Sequence, residues 1–202
     1  MKQVKSRKIL AKRVELWLLL FVFSSALLIG TTAASGQSEE PAYITEVRIL
    51  TQEALHELNL AIRFSVIAPA APSTSDIAPS AARILNLLVG ENHELFVEDA
   101  GIPGGALGGG VIPRLQLVRR TLQPHAEENP RIRNWLIALN NIELFSAFSA
   151  EELVRAITEG NDRFARNALL KNIAFLVATR GTHEDALSEG GTRALQQEVD
   201  SQ

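Results

Sequence analysis

The stretch ITEVRILTQEALHELNLAIRFSVI, residues 44–67, sets the fold class. Val47, Leu50, Ala54, Leu58, Ala61 and Ser65 recur in it at steps of three and four, the spacing that puts side chains on one face of an α-helix. Arg48, Gln52, His56, Asn59 and Arg63 fall on the other side. A strand would alternate apolar and polar residues, and that alternation fails at Leu55 and Ile62. The spacing predicts one long helix with a buried stripe, and a stripe of that kind must be covered by partner helices.

The same period returns downstream. Residues 68–80, APAAPSTSDIAPS, carry three prolines, each disfavouring helix at the residue before it, and read as a linker. A short helix follows from Pro79 to Val89, with Gly90 at its end. Val111, Leu115, Val118 and Leu122 stripe a helix that starts near Pro113 and that Pro124 ends or kinks. Asn129-Pro130 is an N-cap followed by proline at the first helical position, and Ile132, Trp135, Leu139 and Ile142 form the stripe behind it, which places Trp135 in the core.

Ser149 and Glu152 match a capping box. The helix it would open runs through Leu153, Ile157, Phe164, Ala168 and Phe175 to Arg180, with Gly160 dividing it and Gly181 as terminator. Beyond Thr182 a Gly190-Gly191 break leaves a short or frayed helix. No segment reads as a strand and no internal repeat is present. These segments predict an all-α fold: a bundle of four or five helices over residues 37–181, a C-terminal tail over 182–202, and a signal or anchor helix in residues 1–36.

The first 36 residues predict export. Six basic residues (Lys2, Lys5, Arg7, Lys8, Lys12, Arg13) precede an apolar run from Leu16 to Ile29, and the small residues Thr31 to Gly36 follow. The run is short against the roughly 20 residues that span a bilayer. Ala34 with Thr32 two before it, or Gly36 with Ala34, would suit a signal peptidase. The other reading is an uncleaved transmembrane anchor with its basic end in the cytoplasm, which also puts the body outside the membrane. Localisation is then extracytoplasmic: secreted, in the cell envelope, or anchored to the membrane.

Composition removes several chemistries. There is no cysteine, which excludes disulfides, thiol nucleophiles, thiolate metal sites and lipid attachment through an N-terminal cysteine. The chain holds 20 basic and 23 acidic residues; outside residues 1–36 there are 14 basic and 22 acidic, a net charge of −8. Such a body repels the phosphate backbone, so nucleic acid is not expected as a partner. Aromatic residues make up only 5%, too few for a stacking platform.

Between the second and third helices, Asn86-Leu87-Leu88-Val89-Gly90 is followed by an irregular stretch with Ile102-Pro103-Gly104-Gly105-Ala106-Leu107 and six glycines between Gly101 and Gly110. This arrangement resembles a group of exported bacterial helical proteins with a glycine-rich loop between helices, over about 30 to 40 residues. The resemblance implies an exported helical domain and no particular activity. Where that group has histidines before the Asn-containing turn, this chain has Ala81 and Ala82, and its loop acids reduce to Glu98 and Asp99, which puts in doubt a metal role suggested by the group.

A glycine-rich loop before a helix invites a phosphate-binding reading, but G-x-x-x-x-G-K-[ST] is absent and no strand precedes the loop. So many glycines predict a mobile surface loop, ordered only on contact with a ligand. Of the histidines His56, His93, His125 and His183, three precede a glutamate, yet none completes H-E-x-x-H, because Leu60, Val97 and Leu187 stand four residues on. A metal site would have to gather them from distant segments with Glu94, Glu98 and Asp99. Glu127/Glu128 and Glu151/Glu152 are carboxylate pairs at predicted helix ends. Arg155, Arg163, Arg166 and Lys171 suit a solvated face, with Arg155–Glu159 and Asp162–Arg166 at pairing distance in sequence, or a docking face for an acidic partner.

None of these patterns assigns a catalytic residue, a metal ligand or a cofactor. The expectation is an exported, non-enzymatic helical protein that binds a partner or ligand in the cell envelope or outside the cell. The alternative is a metal- or small-ligand-binding helical bundle with enzymatic activity.

Overall fold

The computed structural model describes residues 40–182, 184 and 187–202. The leader reading falls on residues 1–36 and lies outside them. Among the described residues, no helix is long and apolar enough to cross a membrane. Those residues form six α-helices joined by short 3-10 turns, with no strand. The helices are α1 Ala42–Ile67, α2 Thr74–Val89, α3 Val111–Leu122, α4 Pro130–Thr158, α5 Asp162–Arg180 and α6 Thr192–Asp200. The all-α bundle stands: five of the helices fall within residues 37–181, and the sixth is the short helix of the tail.

α1 packs against α2, α3, α5 and α6, while its backbone stays away from that of α4. The two longest helices therefore lie on opposite sides of the bundle, with α2, α3 and α5 between them. On α1 the predicted stripe is buried: Val47, Ala54, Leu58, Ala61 and Ser65 are at or near zero exposure, and Leu50 is half-buried. On α4, Ile132, Trp135, Leu139 and Ile142 are buried as the period requires. Each large apolar side chain so placed contributes about 1.5–3 kcal/mol.

Two helix starts differ from the sequence reading. α2 begins at Thr74, not Pro79, so Pro79 sits inside it. The extra turn carries Ile77, which is fully buried in the core, and Ile77 donates its N–H to the Ser73 carbonyl at 3.0 Å. Burial of that side chain outweighs the proline's local preference. Ser149 is not a cap, because α4 runs unbroken through it to Thr158. Its hydroxyl is buried and donates to Asn172 Oδ1 at 2.5 Å, and the Asn172 amide donates to Ser65 Oγ at 2.9 Å. The capping-box serine is instead one end of a polar bridge from α4 through α5 to α1.

The chain does turn where Gly160 predicts. Asn161 caps α5, its Oδ1 accepting the Arg163 N–H at 2.9 Å, as Asn129 caps α4 through the Arg131 N–H at 3.0 Å. In the tail, α6 packs on α1 and on the end of α5: Leu195 and Val199 are buried, Thr51 on α1 bonds to Gln196, and Thr192 Oγ1 donates to the carbonyl of Thr179 on α5 at 2.9 Å.

Candidate functional site

The segment joining α2 to α3, residues 91–110, is a built structure rather than a slack connection. Asn86, in the last turn of α2, is 1% exposed. Its Oδ1 accepts the Val97 N–H at 2.9 Å, and its Nδ2 donates to the carbonyls of Val97 at 2.9 Å and Gly101 at 2.8 Å. One buried amide thus satisfies three backbone groups of an irregular segment, which is how such a segment can pack without a ladder of its own. Arg83 Nε adds a bond to the Ala100 carbonyl at 3.2 Å.

The glycine-rich half is clasped from α1 and α3. Glu57 is fully buried, and its Oε1 accepts the N–H groups of Leu107 at 2.9 Å and Gly108 at 3.1 Å. Arg114 is 8% exposed and bonds to Glu53 Oε2 through Nε at 2.8 Å and to the Gly110 carbonyl through Nη1 at 3.0 Å, with Nη1 lying 3.7 Å from Glu57 Oε1. His56 Nε2 donates to the Gly105 carbonyl at 2.7 Å. Glu57 Oε2 is buried with no hydrogen-bond partner among the described residues.

Two glycines are required by contact. Gly90 and Gly110 have φ of 76° and 74°, and their backbones touch: a Cβ on Gly90 would come within 2.6 Å of the Gly109 carbonyl oxygen, and one on Gly110 would strike the Gly90 amide. The glycines let the two ends of the segment close on each other. The mobile loop expected from composition is therefore a strap, fixed by side chains that lie outside it.

The strap's first part forms one wall of a groove of about 580 Å³. His93 and Leu95 of the strap line that side together with Val89 at the end of α2 and Ile112 at the start of α3, and Ala147, Ala150, Glu151, Val154 and Arg155 of α4 line the other. The surface is mainly apolar. His93 is half-buried, and its Nδ1 accepts the Leu95 N–H at 3.1 Å.

The residues singled out in the sequence are dispersed by the fold. His56, on α1, bonds to the glycine strap, and His93 is at the groove. His125 stacks on Tyr43, with ring centroids 3.9 Å apart and planes at 16°, and His183 lies outside the described residues. Glu94, Glu98 and Asp99 are exposed, and among the described residues no group of three or more His, Asp or Glu side chains could hold a metal ion. Glu127 and Glu128 are exposed.

The pair Glu151/Glu152 diverges. Glu151 lines the groove, whereas Glu152 is 7% exposed and pairs with Arg155 at 2.8 Å and Lys171 at 3.8 Å. Arg155 thus pairs with Glu152 rather than Glu159. Arg166 is not on a solvated face: it bonds to the carbonyls of Pro69 and Ala71, the latter at 2.6 Å, and ties α5 to the turn after α1. Arg163 is exposed. At the end of α5, burial and then the nearby Arg193 push the Arg180 guanidinium below the ordinary arginine range.

Sequence reasoning did not pick out Glu57, Asn86 or Arg114 as polar groups in the interior. Glu57 does fall one residue from the buried stripe position Leu58, and Asn86 stands among the apolar residues that end α2. A polar residue inside an apolar stripe was the available signal. No family model, no curated protein and no solved structure matches this chain.

Proposed function

We propose that this chain is an exported, non-enzymatic helical protein that holds an apolar ligand in the groove between the 91–97 arc and the second half of α4. The observation that carries the reading is the groove itself: about 580 Å³, with a mainly apolar lining and a few polar side chains at its edge. Small-molecule sites generally have this size and this composition. Export rests on the charge and apolar pattern of residues 1–36. The dispersal of the described histidines favours this reading over a metal-binding, enzymatic bundle.

Two measurements test it. With the full chain expressed in a bacterium, fractionation should put the body in the envelope or the medium; an intact chain in the soluble cytoplasm refutes export. For the groove, the purified protein should bind the apolar dye Nile red with a rise in fluorescence, and Ala150→Trp, which fills the groove from its α4 side, should abolish the rise. A dye bound equally by that variant refutes the site.

A further inference from the structure

α5 and α6 meet at a close backbone crossing. Gly191 has φ of 108°, and a Cβ on it would come within 2.9 Å of Gly181 Cα. One residue outward on each strand of the crossing, Arg180 ends α5 and Thr192 opens α6, and Thr192 Oγ1 donates to the Thr179 carbonyl at 2.9 Å. Arg193 follows in the first turn of α6, so the crossing brings two guanidinium groups near each other. Both residues are half-buried, and Arg180 Nε is buried with no acceptor among the described residues.

Elsewhere the body neutralises its arginines: Arg48, Arg114, Arg119, Arg131 and Arg155 each pair with a carboxylate. Arg180 and Arg193 have no ion pair among the described residues, although outside residues 1–36 the acids outnumber the bases by 22 to 14. Three costs fall on this one place. Like charges repel at close range. Burial takes water from an N–H that then lacks an acceptor. A cation in the first turn of α6 faces the positive end of the helix dipole. An anion held by both guanidinium groups offsets the repulsion and the dipole, and it gives Arg180 an acceptor.

The charge count selects the class of anion. Two unneutralised cations balance a doubly charged ion, and a guanidinium fork matches two oxygens of a phosphate. A phosphate group carries about −1.5 to −2 at pH 7, whereas a carboxylate would leave one charge over. The net charge of −8 on the body opposes a membrane or a nucleic acid, where many phosphates approach at once, and opposes a single small ion far less. We infer that Arg180 and Arg193, at the α5–α6 crossing, form a binding site for a small phosphate-bearing molecule. The site shares no residue with the groove and does not depend on the groove holding a ligand.

The test titrates inorganic phosphate, and acetate in parallel, into the purified protein at constant ionic strength, and follows the arginine side-chain N–H signals by NMR. Phosphate should saturate at one ion per chain, shift the Arg180 and Arg193 signals, and bind about tenfold more tightly than acetate. Arg180→Gln and Arg193→Gln should each weaken phosphate by about tenfold, the loss of one charge-assisted hydrogen bond. Arg163→Gln, an exposed position at the other end of α5, should leave phosphate binding unchanged. A shift that never saturates, acetate binding as tightly as phosphate, or an equal loss in all three variants overturns the site. Vesicles of phosphatidylglycerol should not bind. Vesicle binding that both Arg180→Gln and Arg193→Gln abolish, with no response to free phosphate, overturns the small molecule in favour of a lipid headgroup.

Discussion

Different forces hold the helix pair α4–α5 and the strap of residues 91–110. The pair is held by apolar side chains that recur with the helical period, with a polar bridge through Ser149, Asn172 and Ser65 and an ion pair between Glu152 and Lys171. The strap supplies few large side chains of its own. Its backbone is satisfied by Asn86, Glu57, Arg114, Arg83 and His56, which belong to the helices around it. Removing a residue from the first region opens a cavity; removing one from the second strands backbone groups. The two costs differ in size and in how far they spread.

The largest effect is expected in the helix pair. Trp135 is 1% exposed, and Trp135→Ala should cost about 3–5 kcal/mol in chemical denaturation, with protection lost throughout the bundle. Trp135→Phe should cost far less, because the indole N–H it removes has no partner among the described residues. A Trp135→Ala change below about 1 kcal/mol would mean the surroundings close up around the gap, and the contrast between the regions would weaken.

In the strap, Glu57→Ala leaves the Leu107 and Gly108 N–H groups without their acceptor and Arg114 with Glu53 as its one remaining carboxylate partner. The expected loss is about 3 kcal/mol. Hydrogen exchange should locate it: amides at 105–110 should speed up well before those of α4 and α5. Uniform acceleration across the molecule would show that the strap is part of the core's cooperative unit. Asn86→Ala should cost less, about 2 kcal/mol, because Val97 and Gly101 are only half-buried and water can reach the groups it frees. It should also weaken Nile red binding, since Asn86 fixes the arc that carries His93 and Leu95. Unchanged dye binding would separate the arc from the groove.

The same contrast explains what could be read from the sequence. Stripes on α1 and α4, the Asn129-Pro130 start and the break at Gly160 rest on local period and local capping, so they were legible. The Ser149–Glu152 box failed because an identical local pattern was claimed by a tertiary partner, Asn172, lying 23 residues on. α2 began early because burial of Ile77 overrode proline. Composition predicts a mobile strap because it counts glycines and cannot see the acceptors and donors brought to them from residues about fifty positions away. The groove was not legible, since its two walls meet only in the folded chain, although His93, Glu151 and Arg155 had each been noticed singly.

The smallest expected effect lies on the outward face of α4. Ile137, Leu144 and Phe148 are 57%, 49% and 37% exposed and share one side of the helix. Ile137 lies about three turns from Ala147, where the groove's lining on α4 begins. An exposed side chain of this kind gives up little on removal, so Ile137→Ser should change stability by no more than about 0.5 kcal/mol. It should leave Nile red binding and the sedimentation coefficient as they are. A loss above about 1 kcal/mol that grows with protein concentration would show that Ile137 is covered in solution by a second copy of the chain, because only association makes stability depend on concentration. In that event the contrast would need redrawing, with α4 apolar on both its inner and its outer face.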